Sequence, residues 1–207
     1  MAESAPAPRT LLVFARAPVV GTVKTRLAAT LGDEAATRIY RRMGRHVVDR
    51  VRGGPYRIAL FYDPPGARAQ LQEWLGTEGL LFHAQPRGDL GERMLSAFRW
   101  AFASGGAACI IGTDAPDIHS ALVLRAFQAL EGSNAPDAVF GPAADGGYYL
   151  LGLRGMVERL FEGIPWGTGR VLAESLRVAE SVGLSVELLP TLADVDRPED
   201  VPERFLR

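Results

Sequence analysis

The sequence predicts an α/β protein with a mixed, mostly parallel sheet of about seven strands. Short apolar runs alternate with segments of helical periodicity along the chain, as they do in βαβ units. The run "AACIIG", residues 107–112, is entirely apolar, which is typical of a central parallel strand buried on both faces. The fifth and sixth runs are joined only by "AADG", which is too short for a parallel crossover, so one of these two strands should be antiparallel.

Apolar or alternating runs bounded by turn residues define the predicted strands. The second run, "YRIALFY", is rich in β-forming residues and is ended by Pro64, Pro65 and Gly66, which break a strand. The predicted strands are residues 10–15, 56–62, 80–84, 107–112, 137–142, 147–153 and 184–190.

Helical periodicity fills the intervals between these strands. In residues 33–52, apolar side chains recur at spacings of three and four, and Asp33 and Glu34 lie in the first turn, where they suit the helix dipole. Helices are predicted for residues 33–52, 67–75, 88–104, 119–131 and 171–182, and a last short helix is predicted to begin at Pro198.

Length and composition predict one folded domain. A chain of 207 residues, 47% of them hydrophobic, is long enough for a packed core, and we assign residues 10–207 to a single domain. The Ala/Pro-rich start, residues 1–9, is predicted to be a short disordered tail. It lacks the pattern of a signal peptide, and no apolar run is long enough to span a membrane, so we expect a cytoplasmic protein.

The charge balance argues against a nucleic-acid partner. The formal net charge is −1, and no basic stripe is present that could neutralise a phosphate backbone. The single cysteine, Cys109, lies in an apolar run and is interpreted as a small buried hydrophobe. The three histidines share no pattern with serine or cysteine that would indicate nucleophilic catalysis.

Charged residues of opposite sign follow different strands of the predicted sheet. Ligands of open parallel sheets bind beyond the carboxyl ends of the strands. Arg16, Lys24 and Arg26 follow the first strand, and these cations can neutralise a diphosphate. Carboxylates that suit Mg²⁺ or Mn²⁺ follow the fourth and seventh strands, at Asp114 and Asp196. The strand ends therefore predict a site for an anionic ligand that chelates a metal.

The loop after the first strand, "ARAPVVGTVKTRLA", is not a P-loop. Val23 stands where a P-loop has the glycine before its lysine, and Pro18 stands where it has the first glycine. A backbone cradle for phosphate is therefore not predicted here. The basic residues of the loop either lie in solvent or contact phosphates, and we favour phosphate contact for Lys24 and Arg26 more than for Arg16.

Several of the acids also have local structural interpretations. Asp89 and Glu92 have the spacing of a capping box, although a capped helix start also offers free N–H groups to a ligand. Asp145 can be a plain turn residue beside two glycines. Asp196 can cap a helix that begins near Pro198. These alternatives stay open. Asp114 or Asp117 can also cap the following helix, and we favour this role for Asp117 but the metal for Asp114.

Five motifs together resemble a known family. They are "FARAPVVGTVKTRLA", "GDLGERM", "IIGTDAPDI", "GPAADGGYYLLGL" and "DVDRPEDV". The set resembles the bacterial family of small GT-A-like glycosyltransferases, or nucleotide-diphospho-sugar transferases, some of which are associated with arsenosugar biosynthesis. The resemblance covers residues 11–201 and implies a Rossmann-like GT-A fold with three α/β/α layers.

More distant resemblances imply roles for individual residues. "VDRPEDV" and "GTDAP" are similar to motifs of CMP-sugar synthetases, which implies a metal held by Asp196 and Asp114. "VKTRLA" is similar to a loop of 2-phospho-L-lactate guanylyltransferase, which implies phosphate contacts at Lys24 and Arg26. "GDLGERM" implies contacts to base and ribose, and "DGGYY" implies contacts to the sugar or acceptor. The predicted nucleotide-binding residues are Ala15, Arg16, Gly21, Lys24, Arg26, Gly88, Asp89, Arg93 and Thr113, and the predicted acceptor residues are Asp145, Gly146 and Gly147.

The sequence also departs from two related patterns. It lacks the G-x-G-T-R loop of sugar-phosphate nucleotidyltransferases, and Ala115 and Pro116 separate Asp114 from Asp117 where many GT-A enzymes have D-x-D. We therefore predict a metal-dependent glycosyltransferase with a nucleotide-sugar donor and a small acceptor. Its predicted catalytic residues are Lys24, Arg26 and Asp145, and a homodimer is expected. The alternatives are nucleotidyl transfer to a small phosphorylated or hydroxylated acceptor, and a non-catalytic nucleotide-binding module.

Overall fold

A computed structural model describes residues 8–206, and their strands form one mixed sheet. The strands are β1 (Arg9–Arg16), β2 (Arg57–Asp63), β3 (Leu80–Ala84), β4 (Ala107–Ile111), β5 (Ala138–Pro142), β6 (Tyr148–Leu153) and β7 (Val186–Leu188). Their order is β3-β2-β1-β4-β6-β5-β7. Only β6 runs against its neighbours, β4 and β5, in this part of the chain. The prediction of one antiparallel strand in the β5–β6 pair is therefore confirmed.

The helices lie on both faces of this sheet. They are α1 (Thr25–Leu31), α2 (Asp33–Val51), α3 (Arg68–Leu75), α4 (Leu90–Phe102), α5 (Ser120–Ala129), α6 (Val171–Ser181) and α7 (Glu203–Leu206). Side chains of α2, α3 and α5 share one apolar cluster with Leu11 and Val13 of β1. Side chains of α4 and α6 share another with Leu12, because successive strand residues face opposite sides. Three layers result, as predicted.

Two helical predictions need correction. Residues 25–31 form a helix of their own, α1, which was not predicted, because Gly32 turns the chain at φ 81° and α2 begins immediately afterwards. The helix expected to begin at Pro198 is a short 3-10 turn, Pro198–Asp200, followed by α7. Strand β7 is also shorter than predicted, with three residues.

A small third cluster attaches the C-terminal segment to α1 and α2. It joins Leu27 and Met43 to Val195 and Phe205, which are all nearly or completely buried. The backbone N–H of Val195 also donates to the carbonyl of Asp114, at 3.0 Å. The loop after β7 is therefore held beside the loops after β1 and β4, and this attachment brings Asp196 into the site described below.

The first residues of the chain lie mostly outside the described part. Of the predicted tail at residues 1–9, residues 1–7 are not described, whereas Arg9 is the first residue of β1. The Arg9 guanidinium pairs with Glu131 at 2.7 Å, at the amino end of β1 and so away from the site predicted at the carboxyl ends of the strands. None of the helices in residues 8–206 has the length and apolar character that a membrane span requires.

Candidate active site

The loop after β1 holds Lys24 in an unusual backbone conformation. Tyr40 of α2 fixes the start of this loop, because its hydroxyl accepts from the N–H of Arg16 and donates to the carbonyl of Arg16, both at 3.0 Å. Lys24 has φ 49° and ψ 47° and lies at the N-terminus of α1. It is the non-glycine residue with positive φ in the described chain, and such a conformation persists only where the surroundings enforce it.

The Lys24 ammonium lies between the two carboxylates that were predicted to hold a metal. Its Nζ is 2.8 Å from Oδ1 of Asp114 and 3.3 Å from Oδ1 of Asp196. The Lys24 side chain is only 6% exposed. Arg26 approaches the same pair from solvent and contacts Oδ2 of Asp196 at 2.8 Å. The residues predicted at the ends of β1, β4 and β7 therefore meet at one point.

Charge, and not burial, sets the protonation of Lys24. Burial acts to lower its pKa, but the carboxylates of Asp114 and Asp196 outweigh burial and raise the pKa above its ordinary value. Lys24 is therefore a permanent cation at neutral pH. It is also the single lysine of the 207 residues, in which every other basic side chain except histidine is arginine. Its compact ammonium, on a flexible stem, fits between the two converging carboxylates.

The two carboxylates suit a metal that binds together with a phosphate ligand better than a metal that the protein holds by itself. Within residues 8–206, no group of three or more histidine, cysteine, aspartate or glutamate side chains could hold a metal. Asp114 and Asp196 supply two hard oxygen donors directed at one point. Mg²⁺ commonly uses one or two carboxylates and completes its shell with substrate phosphates and water. A metal in this position requires that Lys24 move away from the pair.

A first cavity of about 570 Å³ opens beside this pair. Its wall contains eight of the residues that the sequence nominated: Ala15, Arg16, Lys24, Arg26, Arg93, Thr113, Asp114 and Asp196. Four of these are cations, contributed by the end of β1, the loop after it, the start of α1, and α4. The first cavity is therefore large enough and basic enough for the phosphates of a nucleotide.

A second cavity of about 400 Å³ adjoins the first and shares Asp114, Asp196 and Arg26 with it. Its wall adds Asp145, Gly147 and Asp194, together with Trp166. Asp145 also has its local turn role, since its Oδ1 accepts from the N–H of Gly147 at 2.8 Å. The turn role of Asp145 is therefore confirmed, and its contact with a sugar or acceptor stays a prediction.

Four nominated residues line neither cavity. Asp89 caps α4 in a full capping box with Glu92, with both hydrogen bonds at 2.9 Å, so its predicted local role is confirmed. Gly88 supplies a carbonyl that accepts from Nε of Arg93 at 2.8 Å. Gly146 has φ 88° and packs against the backbone of Gly169. Gly21 lies in the exposed loop after β1. Contacts of these residues with a nucleotide stay a prediction.

Other polar residues of the cavities were not nominated from sequence. Asp63 ends β2 and Gln85 follows β3, and both line the first cavity. Both stand at carboxyl ends of strands, which is the signal that could have found them. Asp194 lines the second cavity, and burial, with the nearby charges of Asp145 and Asp196, raises its pKa. The surrounding "ADVDRPED" holds several acids, and sequence alone does not separate the one that faces a cavity from the others.

The fold is that of transferases of the glycosyl or nucleotidyl kind, as a comparison with solved structures shows. A protein of Desulfovibrio desulfuricans G20, described provisionally as a nucleotide-diphospho-sugar transferase, is 34% identical in sequence. The alignment covers 91% of this chain and 82% of that one, with a TM-score of 0.85. The predicted fold and the transferase class are therefore confirmed.

The chain belongs to a bacterial protein family, DUF2064, which is described as an uncharacterized protein conserved in bacteria. The family model matches residues 47–168. No functionally curated protein matches the chain in sequence.

More distant structures share the fold. A CMP:2-keto-3-deoxy-manno-octonic acid synthetase in complex with CTP is 12% identical, with a TM-score of 0.60 over 93% of this chain and 94% of that one. Glucosyl-3-phosphoglycerate synthase from Mycobacterium tuberculosis, in complex with Mn²⁺, UDP and glucosyl-3-phosphoglycerate, is 12% identical, with a TM-score of 0.57 over 93% of this chain and 74% of that one. At this identity the likeness concerns the fold alone.

Proposed function

We propose that this protein is a glycosyltransferase that takes a sugar from a nucleotide-sugar donor and passes it to a small acceptor in the presence of Mg²⁺ or Mn²⁺. The observation that carries the proposal is the junction of two cavities at Asp114 and Asp196. The first cavity is bordered by Arg16, Lys24 and Arg26, and the second by Asp145 and Asp194. A donor diphosphate in the first cavity would place its sugar at the entrance of the second.

Lys24 and Arg26 would bind the donor diphosphate. Both lie at the junction already, held there by the carboxylates of Asp114 and Asp196. In the complex, those two carboxylates would hold the metal, which would supply Lewis-acid stabilisation to the donor diphosphate. Lys24 would then turn from the carboxylates to the phosphates. There the two cations would offset the negative charge that builds on the departing diphosphate.

The transfer forms one bond, breaks one bond and moves one proton. A hydroxyl oxygen of the acceptor attacks the anomeric carbon of the sugar, the bond from that carbon to the phosphate oxygen breaks, and the nucleoside diphosphate leaves with the electron pair. Asp145 lines the second cavity, where it would bind a sugar hydroxyl or accept the proton of the attacking hydroxyl. Its hydrogen bond from the N–H of Gly147, at 2.8 Å, fixes the carboxylate for either role.

The charge of the second cavity favours a hydroxylated acceptor over a phosphorylated one. Asp114, Asp145, Asp194 and Asp196 all lie in its wall, and Arg26 is the cation among its lining residues. A phosphorylated acceptor would meet like charge there, whereas hydroxyl groups donate well to carboxylates. The indole of Trp166 in the same wall offers an apolar face to a sugar ring.

Product analysis separates this proposal from its alternatives. The protein is incubated with Mn²⁺ and either nucleotide sugars or nucleoside triphosphates, each with hydroxylated and phosphorylated acceptors. Glycosyl transfer releases a nucleoside diphosphate from a nucleotide sugar. Release of pyrophosphate from a triphosphate with a phosphorylated acceptor would overturn the proposal in favour of nucleotidyl transfer. Nucleotide binding without turnover of any donor would indicate a non-catalytic module.

A further inference from the structure

One part of the first cavity is formed by polar side chains away from the acid pair. Asp63 ends β2, Gln85 follows β3, and Arg93 belongs to the first turn of α4. Nη1 of Arg93 lies 3.5 Å from Oε1 of Gln85 and 3.9 Å from Oδ2 of Asp63. Nε of Arg16 lies 3.3 Å from the same Asp63 oxygen. These side chains form a continuous edge of alternating acceptors and donors, which we call the polar edge.

Two side chains of the polar edge, Gln85 and Arg93, are fixed by hydrogen bonds to the backbone. Gln85 is only 6% exposed, and its Nε2 donates to the carbonyl of Phe61 at 2.8 Å, so its Oε1 is free to face Arg93. Nε of Arg93 donates to the carbonyl of Gly88, also at 2.8 Å. Neither side chain needs to reorganise when a ligand binds, which favours specific recognition.

Apolar side chains flank the polar edge in the same cavity. Phe14, Leu90 and Met94 line the first cavity, and Leu90 is 42% exposed although it is a large hydrophobic residue. Apolar walls beside a polar edge suit a flat ring that carries hydrogen-bonding groups on its rim. Within a nucleotide, the base is the group of that kind.

We propose that the polar edge selects guanine, so that the donor is a guanosine diphosphate sugar; this inference depends on the proposed function. Oδ2 of Asp63 pairs with Arg16 at 3.3 Å and with Arg93 at 3.9 Å, and because each carboxylate oxygen can accept two hydrogen bonds, the carboxylate can still accept from a ligand. Guanine presents two adjacent donors, N1–H and the 2-amino group, which match two oxygens of one carboxylate. The guanine O6 next to them would accept from Arg93.

The other bases fit this edge less well. Uracil, cytosine and adenine each present a single donor group on the pairing edge, so the carboxylate would keep one oxygen without a partner. A site built to hydrogen-bond a ligand discriminates strongly against an analogue that lacks the matching group, because its own polar groups then stay unpaired. Asp63 and Arg93 would thus determine which base the protein accepts.

Calorimetric titration with the diphosphates of guanosine, uridine, cytidine, adenosine and xanthosine, in the presence of Mn²⁺, tests the inference. The wild type should bind guanosine diphosphate at least about tenfold more tightly than the other four. Xanthine carries an oxygen in place of the 2-amino group of guanine. The side-chain amide of the variant Asp63→Asn can donate to that oxygen. This variant should bind guanosine diphosphate about tenfold or more weakly than the wild type and should bind xanthosine diphosphate more tightly than the wild type does.

A matched control is Glu131→Gln. It neutralises another carboxylate that pairs with an arginine, Arg9, at the amino end of β1. It should leave every affinity unchanged. Wild-type preference for another base, or Asp63→Asn that is folded but gains no affinity for xanthosine diphosphate, would overturn the guanine assignment and leave the proposed function standing. Failure of all five diphosphates to bind the wild type would instead overturn the proposed function itself.

Discussion

The two cavities share one wall but differ in charge. The first cavity has four cations in its wall, Arg16, Lys24, Arg26 and Arg93, against three carboxylates, Asp63 and the shared Asp114 and Asp196. The second has Asp145 and Asp194 in addition to the shared acid pair, with Arg26 as the cation among its lining residues. The first cavity is therefore suited to an anion, and the second to a ligand that donates hydrogen bonds.

The contrast follows from the topology of the sheet. The basic loop follows β1 at the centre of the sheet, whereas the acids of the second cavity lie in the β5–β6 turn and after β7. Asp114, which follows β4 between these regions, lies on the border and contacts Lys24 at 2.8 Å. An anionic donor and an uncharged acceptor would thus be kept apart by charge and brought together only at the shared acid pair.

Removal of the shared carboxylate should have the largest effect. Asp114→Asn should abolish the metal-dependent part of the thermal shift that a nucleotide produces and should reduce transfer by more than about a hundredfold, because the metal loses a ligand between the cavities. Differential scanning fluorimetry with and without Mn²⁺ measures the shift. Asp117→Asn is the matched control, since Asp117 contacts Arg204 at 3.0 Å and lines neither cavity. A folded Asp114→Asn protein with an unchanged shift would contradict the role of Asp114.

Loss of the Lys24 ammonium should act in opposite directions on the two ligands. Lys24→Met should lower the affinity for a nucleoside diphosphate by about tenfold or more, because the diphosphate loses the cation that would bind it. It should also strengthen the binding of Mn²⁺ alone, since the ammonium no longer lies between Asp114 and Asp196. Calorimetric titrations of Mn²⁺ without nucleotide measure the second effect. Arg26→Met is the comparison, since Arg26 is exposed and contacts only Asp196 of the pair. Weaker Mn²⁺ binding in Lys24→Met would contradict the proposal that the Lys24 ammonium and the metal compete for Asp114 and Asp196.

A change confined to the second cavity should spare donor binding. Asp145→Asn should lower kcat by about tenfold to a hundredfold, because Asp145 would contact the acceptor or the transferred sugar. The dissociation constant of the nucleoside diphosphate should stay within about twofold, since Asp145 does not line the first cavity. Steady-state kinetics and calorimetry measure these quantities separately. A parallel loss of nucleotide affinity would mean that the two cavities do not act on different substrates.

The smallest effect concerns stability. Burial and the charges of Asp145 and Asp196 raise the pKa of Asp194, so its ionised form is disfavoured in the folded protein. The ionised carboxylate therefore costs stability at neutral pH, and this cost disappears as the pH falls through the raised pKa towards the ordinary value of 3.8. Asp194→Asn should raise Tm by about 2 °C at neutral pH, with a smaller gain at acidic pH. A lower Tm at neutral pH would show that hydrogen bonds of the carboxylate outweigh its repulsion.

Regular patterns made most of the fold predictable, and local exceptions limited the rest. Apolar periodicity located α2 and every strand of the sheet, and the length of the "AADG" link identified the antiparallel pair. Helix α1 was missed because it has only seven residues and begins at a left-handed Lys24 without a side-chain cap. No residue preference signals such a start.

The residues of the candidate site that could be predicted from the sequence are those that follow the end of a predicted strand. Asp114, Lys24 and Asp196 were nominated from three separate strand ends, and the structure brings them within ion-pair distance. That an ammonium lies where the metal was expected was not predictable, because the left-handed backbone of Lys24 directs the side chain inward. Asp63 was missed although it ends β2, because the sequence does not show that Arg16 and Arg93 lie around it.

The most direct test of the account is the position of Mn²⁺ in a crystal of the protein with a nucleoside diphosphate. The account predicts an anomalous manganese peak bound by Asp114, Asp196 and the phosphates, with Nζ of Lys24 moved from the carboxylates to a phosphate oxygen. Manganese bound elsewhere, or a diphosphate bound while Lys24 stays within ion-pair distance of both carboxylates, would contradict it.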